Sequence, residues 1–87
     1  MSSIQCPCCG YYTLFPMSND VNNEICEVCF WQYDDTAQMQ PNRTIRSNRI
    51  SLQQAQKNYL QFGACESRFI DFVRQPEPDE LPENNRP

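Results

Sequence analysis

Two cysteine pairs constrain this chain more than any other feature. Cys6-Pro7-Cys8-Cys9 supplies one C-x-x-C, and Cys26-Glu27-Val28-Cys29 supplies a second after a gap of 16 residues. A gap of this length between two such pairs reads as a four-cysteine zinc site, because each short loop can turn two sulfurs toward one tetrahedral ion. Pro7 stiffens the first loop, and Gly10 frees the backbone to turn directly after it. The expected donors are Cys6, Cys9, Cys26 and Cys29, all metal ligands and none catalytic. Adjacent Cys8 keeps the first knuckle's donor set open at this stage. Iron is the rival metal for four thiolates. Phe30-Trp31 stands where a second glycine is expected, and this disfavours the redox reading.

The staple matters because the chain is short. The 87 residues make one domain, close to the size at which an apolar core alone is marginal. Residues 1–74 form the expected cysteine-rich zinc-binding domain. Residues 75–87 are rich in proline and carboxylate, with Leu81 their one aliphatic side chain, and read as an acidic flexible tail. The N-terminus has neither a basic segment nor an apolar run, and no stretch approaches the ~20 apolar residues of a membrane span. A cytoplasmic protein with reduced thiols is expected.

The pattern between and after the pairs is local. Tyr11 to Phe15 favours strand, Ser18 to Asn23 supplies turn residues, and Glu24-Ile25 leads into the second pair. A hairpin between the two knuckles is expected. Asp35-Thr36-Ala37-Gln38 reads as one helical turn ended before Pro41. Ser51 with Gln54 forms a capping-box pattern, Leu52, Ala55, Tyr59 and Phe62 share one helical face, and Gly63 ends the helix. A second, short helix carries Phe69, Ile70, Phe72 and Val73 and stops before Pro76.

Chemistry beyond the metal is sparse. There is no histidine, so a cysteine nucleophile lacks its usual base. Cys6-Pro7-Cys8-Cys9 has no preceding strand to make it a thioredoxin-like redox motif. Cys8 and Cys65 are extra thiols, Cys65 as a small buried residue between the helices. Phe30, Trp31 and Tyr33 are candidates for a partner-binding surface, with internal packing as the alternative. Asp34 and Asp35 serve as a helix cap or solvated turn. Arg43, Arg46 and Arg49 form the one local basic cluster, set against a net charge of −4. Four zinc-bound thiolates would bring that charge to about −6, which repels nucleic acid and favours a basic protein partner.

Three blocks carry a resemblance. Cys6 to Tyr11, Ile25 to Trp31, and Ser51 to Ala55 with Asn58-Tyr59 and Phe62-Gly63-Ala64-Cys65 resemble the bacterial cysteine-rich C-P-C-C family over about residues 4–74. The resemblance implies a small, soluble, zinc-ribbon-like fold without enzymatic activity. It supports the four ligands and marks Cys65 as a motif residue of unassigned role. It also implies a small partner protein, such as an immunity protein that neutralises a bacterial toxin. The expected fold is a small α+β metal-stabilised domain: a zinc-ribbon-like β-hairpin with two C-x-x-C knuckles, packed against one longer and one short α-helix. The expected function is a non-enzymatic zinc-binding protein–protein interaction module. A nucleic-acid-binding zinc ribbon and a rubredoxin-like electron carrier are the alternatives.

Overall fold

The computed structural model describes residues 4–14, 24–44 and 48–85. Each cysteine pair is a tight turn closed by the same two backbone bonds. In the first, Gly10 N donates to Cys6 O at 2.9 Å and Cys6 N to Tyr11 O at 2.8 Å; in the second, Phe30 N donates to Cys26 O at 2.7 Å and Cys26 N to Trp31 O at 3.0 Å. These bonds fold the flanking segments back antiparallel. Strand β1 (Ile4–Gln5) therefore pairs with β2 (Tyr12–Leu14), with Ile4 opposite Leu14, Gln5 opposite Tyr12 and a register shift between them. Around the second turn a single antiparallel bridge joins Ile25 to Gln32.

The pairing differs in place from the expected hairpin. Among the described residues, the two-stranded ladder wraps around the first knuckle, and Ile25 contributes a bridge around the second. The knuckle is itself the reversal, so its own flanks are the nearest antiparallel partners. The expected turn at Ser18 to Asn23 lies outside the described residues.

The helices follow their local signals. In α1 (Asp35–Met39), Asp34 caps the start: its Oδ1 accepts from Thr36 N at 2.8 Å and Ala37 N at 3.3 Å. In α2 (Leu52–Phe62), Ser51 Oγ accepts from Gln54 N at 3.1 Å, and Gly63 adopts the left-handed conformation with φ 82°. The Gln54 side chain donates to Asn58 Oδ1 at 2.9 Å instead of returning to the cap, so only half of the capping box forms. Leu52 and Ala55 are buried, while Tyr59 and Phe62 are half-buried on the same face.

The expected short α-helix is a 3-10 helix, Ser67–Phe72. Three residues per turn place side chains i and i+3 on one line. Phe69 and Phe72 use that spacing to reach the same ring, with centroids 4.5 Å and 6.2 Å from that of Phe30. No side chain caps its start, which gives an α-helix little reason to begin there.

The core holds Leu14, Val28, Trp31, Leu52 and Ala55 together with Cys6, Cys26, Cys29 and Cys65. Two hydrogen bonds fasten α2 and its exit to the cysteine turns, and a third ties α2 to that exit. Gln56 Nε2 donates to Pro7 O at 2.8 Å, Asn58 Nδ2 to Cys65 O at 2.9 Å, and Cys65 N to Cys29 O at 2.8 Å.

The segment after Arg74 contributes to this unit. Arg74 Nη1 and Nη2 each donate to one oxygen of the Glu80 carboxylate at 2.8 Å, and Glu80 is only 5% exposed. Glu77 N donates to the same carboxylate at 2.8 Å. Arg74 and Glu80 lie on either side of the boundary expected after residue 74 and form a bidentate ion pair. Acidic composition hid this contact because one buried carboxylate looks, in sequence, like its solvated neighbours.

Candidate metal centre

The two cysteine turns face each other and converge on one point. The thiol sulfurs of Cys6, Cys9, Cys26 and Cys29 all lie within 4.8 Å of one another. Sγ of Cys6 is 3.5 Å from that of Cys29, and Sγ of Cys9 is 3.7 Å from that of Cys26. A tetrahedron with metal–sulfur bonds of about 2.3 Å has edges of about 3.8 Å. Both close pairs cross from one turn to the other, so the cluster joins the two halves of the N-terminal region. Cys6, Cys26 and Cys29 are buried and Cys9 is half-buried.

The chemistry of the donor set fits a metal ion. Crowded thiols cannot all ionise in a buried space, so they share protons. Hydrogen bonds from Cys29, Cys6 and Cys9 hold the Cys26 thiol far below its ordinary range. Contacts with Cys26 first, and also with Cys6, push Cys9 and Cys29 up. A metal cation resolves the conflict by replacing the shared protons and accepting all four sulfurs as thiolates. Thr13 adds a polar contact from the side, its Oγ1 lying 2.8 Å from Cys26 Sγ. The sequence reading did not single out Thr13. Its one available signal was an inward position on a strand two residues after Tyr11.

The other two thiols lie outside the four-sulfur cluster. Cys8 is 7% exposed and is not among the four clustered sulfurs, which leaves Cys6 and Cys9 as the first turn's candidate donors. Cys65 sits behind the second turn, and burial first, then the neighbouring Cys8, pushes its thiol up to about 12. Such a thiol is protonated and unreactive at neutral pH.

The candidate partner-binding residues divide by burial. Trp31 is 1% exposed and belongs to the core. Phe30 and Tyr33 are half-buried and pack against that core. The Tyr33 hydroxyl is pushed up by burial and then by Asp35. Asp34 is the cap of α1. Asp35, Arg43 and Arg49 are exposed, with Arg43 Nη1 donating to Gln40 Oε1 at 3.0 Å. Arg46 lies outside the described residues.

The fold and the sulfur cluster define a small cysteine-rich domain whose four converging thiols could hold a metal ion. The chain belongs to the cysteine-rich CPCC family, whose sequence model matches residues 4–80. The match runs past Arg74 and includes Glu80. No curated protein matches the chain. No solved structure matches it. Among the described residues, no helix is long and apolar enough to cross a membrane.

Proposed function

We propose that this protein is a zinc-binding protein–protein interaction module without catalytic activity. The observation that carries the reading is the four-sulfur cluster joining two turns. Four protein donors complete a tetrahedron and leave no position for a substrate, which is the pattern of a structural zinc site. The ion then supplements an apolar core that is small in a chain of this size.

The partner side of the proposal rests on surface chemistry. The acidic net charge of −4 favours a basic protein and speeds its encounter. Leu60 is 86% and Phe72 68% exposed, apolar side chains that a partner could cover. A groove of about 330 Å³ between α2 and the 3-10 helix is lined by Tyr59, Phe62, Ile70, Val73 and Arg74. An immunity protein that neutralises a basic bacterial toxin is the most concrete form of this reading.

Native mass spectrometry of the protein purified gently from its own host tests both halves. One zinc per chain and a complex with a basic protein are expected. A red, iron-loaded chain would replace the structural site with an electron carrier. A bare zinc-loaded monomer at cellular concentrations would overturn the partner half.

A further inference from the structure

Four thiolates around a divalent cation leave a centre with a net charge of about −2. Three of the four sulfurs here belong to fully buried residues, Cys6, Cys26 and Cys29. Buried charge is tolerated where hydrogen-bond donors are aimed at it, and expensive elsewhere. The structure supplies one such donor from an unexpected place.

Thr13 stands in the middle of β2, 6% exposed, with its Oγ1 2.8 Å from Cys26 Sγ. A metal-bound thiolate carries no proton, so in the loaded protein the hydroxyl is the donor and the sulfur the acceptor. Two features hold the hydroxyl in place. Pairing with β1 fixes the strand on either side, and the branched Cβ restricts χ1 to few rotamers. Thr13 lies on the strand leaving the first turn, whereas Cys26 opens the second. The contact thus ties the two halves of the centre independently of the ion.

We infer that Thr13 is a positioning residue of the zinc centre, whose hydroxyl fixes the Cys26 thiolate and draws off part of its charge. This rests on the zinc reading above. A donor to a ligand sulfur lowers its filled orbitals and orients its lone pair toward the metal, and such outer contacts tune affinity strongly. Cys9, the candidate ligand left half-buried, is the one of the four open in part to solvent. Two ligands on opposite turns therefore have their charge dispersed by different means, Cys26 by a fixed hydroxyl and Cys9 by solvent.

Cobalt(II) substitution of the full chain tests the inference, because its sulfur-to-metal charge-transfer band reports on each thiolate donor. Thr13→Val keeps the shape and removes only the O–H. The band is expected to move to longer wavelength as the Cys26 orbitals rise, and zinc affinity measured by chelator competition to fall about tenfold. Thr13→Ser is expected to restore both. A purely packing role predicts the reverse order, since valine fills the space better than serine. An unchanged band and affinity in Thr13→Val would overturn the inference. If the valine variant does not fold, Thr13→Ser against Thr13→Ala makes the same comparison, since that pair also differs by the hydroxyl. Failure of the unsubstituted protein to take up cobalt would overturn the zinc reading itself, which is a separate result.

Discussion

Gly10 and Phe30 occupy the same place in the two cysteine turns, and both are left-handed, with φ of 85° and 70°. Each directly follows the second cysteine of its pair, and each donates its N–H to the carbonyl of the first. The turn dictates this conformation whichever residue is present. Glycine adopts it freely, while a side chain pays about 1–2 kcal/mol. Phe30 offsets that strain through its ring, which lies 4.5 Å from Phe69 and 6.2 Å from Phe72. The second turn thus exchanges backbone ease for an anchor on the 3-10 helix.

Opposite substitutions at these positions should therefore both destabilise, for different reasons. A Cβ at Gly10 would meet nothing within 4 Å, so Gly10→Ala costs only backbone strain, about 1–2 kcal/mol. Phe30→Gly relieves strain of similar size but gives up half-buried aromatic packing on two rings, for a net loss of about 1 kcal/mol or more. Denaturant unfolding of the zinc-loaded variants measures both. A Phe30→Gly protein more stable than the parent would show that the ring contributes less than the strain it imposes.

Removal of the metal should unfold the N-terminal half. Structural zinc sites contribute roughly 10–16 kcal/mol of apparent binding free energy in small peptides, comparable to the whole stability of a small domain, about 5–15 kcal/mol. Chelation is expected to abolish the cooperative melt followed by circular dichroism, and added zinc to restore it. An identical melt after verified metal removal would show that the apolar core suffices.

The six cysteines should separate into two classes. Serine at Cys6, Cys9, Cys26 or Cys29 removes a donor and is expected to abolish the cobalt tetrathiolate spectrum. Serine at Cys8 or Cys65 lies outside the cluster and is expected to leave the spectrum intact. Cys65→Ser should still destabilise by about 1–2 kcal/mol, because it buries a hydroxyl where a thiol at 1% exposure sat. Loss of the spectrum in Cys8→Ser would reassign the first turn's donors.

What could be read in advance was local in the chain. The cysteine spacing marked the four sulfurs because each turn needs only its own four residues. Ser51 and Gly63 marked the ends of α2 because caps act within one turn of helix. Thr13 could not be read, since its role depends on a sulfur 13 residues away. Among the described residues the ladder closes around the first turn, a pairing that strand propensity at Tyr11 to Leu14 does not name. Phe69 and Phe72 did carry a clue, their i, i+3 spacing, but it is shared by α- and 3-10 helices. The Phe30 ring, distant in sequence, decides between them.

The Arg74–Glu80 pair predicts an acid-sensitive increment of stability that can be isolated from the metal. The two guanidinium bonds from Arg74, helped by Glu77 N, hold the Glu80 carboxyl below its ordinary range against the cost of burial. Arg74 is pushed further up by the same contact and stays charged throughout. A depressed carboxyl binds fewer protons folded than unfolded, so its contribution is complete above the unfolded value of about 4.3 and disappears as pH falls through the lower folded value. The cysteine ligands also lose metal in acid, which would mask this slope in the parent protein alone. Glu80→Gln shares that background, so the difference between the two proteins isolates the pair. At pH 7 the variant should be less stable by about 1–3 kcal/mol, the range for hydrogen bonds to charged groups. The gap should narrow steadily below about pH 4.3. A gap that stays constant down to pH 3 would show that Glu80 stabilises through its shape and its backbone bond alone, with no contribution from its charge.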